Sequence, residues 1–285
     1  MDLVYLNGQY MPLHEACIPV MDRGFLFGDA VYEVIPAYHG RLFRLHEHLQ
    51  RLDSSLQAIG MKNPLTYDEW LGILQKLIDQ QPEIDQSAYL QVTRGIYAKR
   101  DHSFPKQIEP TVLAMCSPFG HPGSHINEAG ISAITLDDIR WNYCNIKTTA
   151  LLANVLLRQQ AVESDAAEAI LIRNGNATEG AASNLFIVAN GTIITPPKSQ
   201  NLLPGITRDV VLELAEQNSL TYCEADIPEQ HLKSADEIWL TSATREIMPV
   251  IQLNGHAIGD GKLGPMWKKI YSLYQEFKIK IRGYS

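Results

Sequence analysis

Short runs of β-branched and aromatic residues, joined by tight glycine turns and spaced by helical stretches, constrain this 285-residue chain most strongly. His39-Gly40 leads from AVYEVIPAY into a helical stretch, while Asn7-Gly8 stands between LVYL and QYMP and Asn190-Gly191 links LFIVA to TIIT. Two-residue turns of this kind join antiparallel strands, whereas parallel strands need long crossovers. The pattern therefore predicts an α+β pair of domains rather than a doubly wound parallel sheet.

The helical stretches carry their own signals. Leu45, Leu49, Leu52 and Leu56 recur at intervals of three and four before Gly60 stops the helix. Thr66 and Glu69 form a capping box for a helix over 66–81. Val210, Val211, Leu214 and Ala215 mark a helix after Pro204-Gly205, and Trp267, Ile270, Leu273, Tyr274 and Phe277 give a terminal helix one apolar face. Strands are predicted at 31–38, 88–94, 110–116, 130–136, 168–173, 184–189 and 192–195. On the first, Tyr32, Val34 and Pro36 share one face, while Val31, Glu33 and Ile35 share the other. The Gly/Pro/Ser-rich SPFGHPGSH (117–125) is the natural interdomain linker. It divides the chain into a small N-terminal domain (1–118), a linker (119–125) and a larger domain (126–285).

A net charge of -8 leaves no basic surplus to neutralise phosphates, which argues against nucleic-acid binding. No apolar run approaches the roughly 20 residues that a membrane helix needs, and the N-terminus has no signal-peptide pattern. Cys17, Cys116, Cys144 and Cys223 are scattered, which fits free thiols in a reducing cytoplasm. No metal site is expected, because His46 and His48 point apart on a helix and no Cys/His cluster occurs.

The chemistry concentrates in residues 137–186. Lys147 reads as the opening of an apolar helix that runs on through Leu151, Leu152, Val155, Leu156, Gln159 and Val162. It is the only charged residue between Cys144 and Leu157, and a lysine among apolar neighbours can lose its proton. A deprotonated amine is what a Schiff-base enzyme needs. Glu179 reads as part of a tight Thr-Glu-Gly turn, within NATEGAASN, whose small residues leave room for a flat ring. The two are expected to hold opposite sides of a pyridine-ring cofactor. A lysine or glutamate so placed also serves simply to solvate a surface, so the pair needs its neighbours. Gly205-Ile206-Thr207 opens a helix, where the dipole and unpaired N–H groups favour an anion. The turn from Thr241 to Thr244 offers further donors.

Together these segments carry a family resemblance. DRGFLFGDAVYEV, HLQRL, NIKTTALLANVL, ATEGAASNLF, LLPGITRDVV and LTSATREIMPVI resemble, in order and spacing, the motifs of class IV (fold-type IV) pyridoxal-phosphate aminotransferases. The resemblance implies a small N-terminal α/β domain, a larger domain with a barrel-like sheet, and a homodimer. It implies that Lys147 is the Schiff-base lysine and that Glu179 faces the pyridine nitrogen. It assigns Arg51, Ile206, Thr207, Ser242 and the Ala243 N–H to the cofactor phosphate, and Leu203 to the cofactor ring. Where the family often has a hydroxyl residue, this chain has Ala243. Arg100 and His102 resemble, with Tyr32, the carboxylate trap of the branch acting on D-amino acids, in a loop one residue longer between Arg94 and Arg100. The substrates implied are D-amino acids and 2-oxo acids. A branched-chain L-amino acid aminotransferase, an aminodeoxychorismate lyase and a non-catalytic relative are the alternatives.

Overall fold

A computed structural model describes residues 3–119 and 129–282. The chain divides into two compact units, Met1–Phe119 with Ile146–Leu151, and Gly120–Asn145 with Leu152–Ser285. Except for Phe119, the expected linker 119–125 lies outside the described residues.

In the first unit β1 (Leu3–Leu6) and β2 (Gln9–Pro12) form the expected hairpin, with Asn7 and Gly8 both at positive φ. The short helix α1 (Arg23–Phe27) leads into β3 (Ala30–Tyr38) and β4 (Arg41–Leu42). Helices α2 (Leu45–Ala58) and α3 (Tyr67–Ile78) precede β5 (Gln86–Thr93) and β6 (Thr111–Pro118). The strands make one antiparallel sheet in the order β2-β1-β6-β5-β3-β4. The leucine stripe of α2 and Trp70, Leu74 and Ile78 of α3 bury against Val31, Ile35, Leu90 and Val112 of the sheet. Removal of this apolar surface from water is the main stabilising force here. Thr66 and Glu69 form the expected capping box at the start of α3.

The second unit contains β7 (Ile131–Asp137), α4 (Leu152–Glu163), β8 (Glu168–Arg173), β9 (Asn176–Gly180), β10 (Asn184–Ala189) and β11 (Thr192–Thr195). After them come α5 (Ile206–Gln217), β12 (Tyr222–Glu224), β13 (Ile227–Pro228) and α6 (Glu229–Lys233). The unit ends with β14 (Glu237–Ser242), β15 (Glu246–Leu253), β16 (His256–Ala257) and α7 (Pro265–Arg282). Strands β10-β14-β15-β7-β8-β9 run side by side, and a β9–β10 pairing at Glu179 and Asn184 closes them into a ring. Closure removes the sheet edges, and Ile170, Leu185, Ile187, Leu240, Met248 and Val250 share one apolar core.

Two local expectations need correction. Lys147 does not open a helix, because α4 begins at Leu152; residues 147–149 instead run extended beside β3. Only Leu157 and Ala161 of α4 are buried, while Leu152, Val155, Leu156 and Val162 are exposed. Glu179 lies on strand β9 rather than in a turn, because pairing with β8 and β10 overrides the small-residue composition of NATEG. No helix among the described residues is long and apolar enough to cross a membrane.

Candidate active site

In the first unit, β3 presents Tyr32 and Glu33 on opposite faces, as a two-residue period dictates. Glu33 is fully buried against α2. Its carboxylate accepts Nε and Nη2 of Arg51, both at 2.8 Å, and pairs with Nδ1 of His48 at 2.7 Å. Burial alone would raise its pKa, but Arg51 and His48 outweigh it and hold the carboxyl at about 2. The forked contact fixes the plane of the Arg51 guanidinium.

Lys147 is anchored through its backbone. Tyr32 N donates to Lys147 O at 2.9 Å, Thr149 N donates to Ala30 O at 3.1 Å, and Lys147 N donates to Ser55 Oγ at 3.2 Å. The half-buried side chain places Nζ 4.4 Å from the centre of the Tyr32 ring. Tyr32 in turn stacks on Tyr89, with centroids 5.6 Å apart. Tyr32 and Lys147 are thus brought together. Arg100 and His102 meet elsewhere in this unit, on the ring of Phe27, at 5.2 Å and 5.1 Å from its centre. Both are exposed.

In the second unit Glu179 is 4% exposed and fully engaged. Oε1 accepts Nη1 of Arg140 at 2.5 Å; Oε2 accepts Asn184 Nδ2 and the Leu203 N–H, both at 3.1 Å. Burial raises its pKa to about 7 against the pull of Arg140 and the Leu203 N–H. Arg140 is held in turn by Asp138, through Nε and Nη2 at 2.9 Å, and Arg173 braces Asp138 at 3.0 Å. A chain of alternating charge therefore orients the Glu179 carboxylate.

Asn184 links this carboxylate to the start of α5. Its Nδ2 also donates to Leu203 O at 2.8 Å, and its Oδ1 packs so closely on Gly205 that no Cβ would fit there. Gly205 is the N-cap of α5 and offers no side-chain cap to the N–H groups of Ile206 and Thr207, although Asp209 in the first turn partly offsets the dipole. On the neighbouring strand Thr241 pairs with Asn184, and Thr241 Oγ1 and Ser242 Oγ are buried with no hydrogen-bond partner. Ala243 follows directly, in the turn to β15. Buried hydroxyls without partners beside a helix N-terminus favour an anion that accepts hydrogen bonds.

Sequence reasoning missed Glu33, His48, Asp138, Arg140 and Asn184 as parts of the site. Glu33 carried a usable signal, because an acid among the buried Val31 and Ile35 positions demands a buried partner. Arg140 carried less, since its partner Glu179 lies 39 residues away. Chemically, the first unit offers an amine on an aromatic face, a fixed guanidinium and an exposed basic loop. The second offers a buried carboxylate and an anion-binding helix terminus.

Known proteins provide the comparison. A family model described as amino-transferase class IV matches residues 30–253. A D-alanine aminotransferase of Bacillus licheniformis is 42% identical over 272 residues, 95% of each chain. One from Staphylococcus aureus (strain N315) is 37% identical over 97% of this chain and 98% of its own. Among solved structures, the Escherichia coli branched-chain amino acid aminotransferase superposes with a TM-score of 0.91 at 26% identity, covering 96% and 94% of the two chains. A second branched-chain amino acid aminotransferase, solved with pyridoxamine 5'-phosphate, gives 0.91 at 25% identity, covering 100% and 95%. This chain belongs to the class IV aminotransferases.

Proposed function

We propose that this enzyme transfers an amino group between a D-amino acid, such as D-alanine or D-glutamate, and a 2-oxo acid, pyruvate or 2-oxoglutarate. The observation that carries this reading is the 42% identity to a D-alanine aminotransferase over 95% of both chains. The branched-chain enzyme from Escherichia coli reaches 26%.

The cofactor is pyridoxal 5'-phosphate, and the residues of the second unit fit it. The unpartnered hydroxyls of Thr241 and Ser242 and the uncapped start of α5 suit its phosphate, with the Ile206, Thr207 and Ala243 N–H groups as further donors. Arg51, its plane fixed by Glu33, is the cationic phosphate ligand. Leu203 would pack on the ring. Glu179, made more basic by burial, would accept a hydrogen bond from the pyridine N–H and so keep that nitrogen protonated. Bound there, the cofactor supplies an electron sink for the pair left behind when the substrate loses its Cα proton. Lys147 Nζ is the group that would hold the cofactor and, once the substrate amine displaces it, would take that proton as general base and deliver a proton to the cofactor carbon instead of back to Cα. Tyr32 holds the substrate α-carboxylate together with an Arg100–His102 loop lent by the second subunit of a homodimer, and fixing that group selects the substituent of Cα that faces the amine.

The enzyme is a homodimer in the cytoplasm. Support for the dimer is the exposed apolar face of α4, at Leu152, Val155, Leu156 and Val162. The four cysteines are free thiols, as a reducing compartment keeps them. The deciding experiment offers D-alanine and L-leucine in turn, with 2-oxoglutarate as acceptor. Turnover of D-alanine is expected; turnover of L-leucine alone would replace this reading with the branched-chain one.

A further inference from the structure

The exposed loop that carries Arg100 and His102 is gripped from beneath by a buried arginine outside the machinery described above. Arg23, the first residue of α1, is 3% exposed. Its Nη1 donates to the Asp101 carbonyl at 2.5 Å and the Ser103 carbonyl at 3.4 Å, and its Nη2 to the His102 carbonyl at 3.2 Å. One planar fork thus holds three consecutive peptide units, a task for which the point charge of a lysine is poorly shaped.

Arg23 is itself held. Its Nε donates to Asp29 Oδ2 at 2.8 Å, and Arg94 shares that carboxylate through Nε at 2.8 Å and Nη2 at 3.0 Å. Arg94, 4% exposed, also lies 3.6 Å from the centre of the Phe104 ring and so grips the far end of the loop. The Phe27 ring takes Arg23, Arg100 and His102 together, with Arg23 at 4.9 Å. Burying two guanidinium groups is costly, and a loop that merely solvates the surface has no use for it.

We propose that Arg23, Asp29 and Arg94 form a clasp that positions the Arg100–His102 loop for the α-carboxylate of the amino donor. The clasp rests on the reading of Arg100 and His102 as the carboxylate-binding pair. Arg23 and Asp29 are positioning residues, acting through the loop backbone and not on the substrate.

The test uses the holoenzyme with D-alanine and 2-oxoglutarate, comparing Arg23→Lys, Asp29→Asn, Arg100→Ala and the double variant Arg23→Lys/Arg100→Ala. Arg23→Lys and Asp29→Asn should each raise the KM for D-alanine about tenfold, while kcat at saturation changes by less than about threefold. Trypsin should cut either variant after Lys99, Arg100 or Lys106 about tenfold faster than wild type, before other fragments appear. Because both changes act through one loop, the double variant should raise the KM by less than the product of the single effects. A double variant whose KM rises by the product of the single effects would overturn the clasp. So would a raised KM for Arg100→Ala beside wild-type KM and cleavage for Arg23→Lys and Asp29→Asn. An unchanged KM in Arg100→Ala would instead overturn the carboxylate reading beneath it.

Discussion

Asn184 holds Glu179 across the seam of the barrel, with Nδ2 3.1 Å from Oε2 where β9 and β10 pair and close the ring. The same amide reaches Leu203 O at 2.8 Å and packs its Oδ1 onto Gly205 at the head of α5. One side chain therefore sets both the carboxylate and the helix terminus, and any shift in it moves the two together.

Gly205→Ala tests that coupling. The added Cβ would lie 1.8 Å from Asn184 Oδ1 and 3.0 Å from its Cγ. The amide cannot retreat without giving up its bonds to Glu179 and Leu203. A loss of about 2–4 kcal/mol in stability follows, together with faster loss of bound cofactor. Urea denaturation of the cofactor-free protein measures the first part. A variant as stable as wild type would mean that Asn184 turns aside at little cost.

The Glu33 carboxyl predicts a particular acid sensitivity. Its folded pKa lies at about 2, below the ordinary 4.5, so the stability it contributes is fully present above 4.5 and drains away as the pH falls towards 2. That shift corresponds to about 3 kcal/mol. Glu33→Gln should lose stability at neutral pH, because Arg51 is left buried without its counter-charge. It should also show a shallower decline than wild type between about pH 5 and pH 2. Parallel declines would place the acid sensitivity in other groups.

How much of this is legible in the sequence depends on the range of each interaction. The leucine stripe of α2, the capping box of α3 and the strands 168–173, 184–189 and 192–195 follow from local period and turn chemistry, and they form as expected. The apolar neighbours of Lys147 point to a helix, but backbone pairing with β3 keeps its segment extended. Glu179 sits in a run of small residues with low strand propensity, and pairing with β8 and β10 makes that run a strand. Its partner Arg140 and the Arg51–Glu33 pair join residues 39 and 18 positions apart, beyond the reach of periodicity. The family motifs supply Lys147, Glu179 and Arg51 without supplying the groups that orient them.

Another buried ion pair, Lys278 with Glu246, fastens the end of α7 to the start of β15, just past the turn that holds Ala243. Both side chains are almost fully buried, and Gln275 Nε2 donates to Glu246 at 2.7 Å. Lys278→Met should cost about 3–5 kcal/mol, since it strands a buried carboxylate. Adding Glu246→Gln should recover part of that loss, giving a double variant more stable than the sum of the single effects predicts. Additive losses in thermal or urea unfolding would show that the pair contributes no coupling.

Thr241→Val separates an anion site from ordinary packing by the sign of its effect. Thr241 Oγ1 is buried without a hydrogen-bond partner, beside Asn184 on β14. An unsatisfied buried hydroxyl costs folding energy, and valine keeps the shape without that cost. The cofactor-free Thr241→Val protein should therefore gain about 1 kcal/mol in stability. The same substitution removes a donor to the anion, so inorganic phosphate should raise its melting temperature less than it raises that of wild type. Both arms are read by thermal unfolding of the cofactor-free protein with and without phosphate. A destabilised variant with an undiminished phosphate shift would remove Thr241 from the anion site and assign its hydroxyl to packing alone.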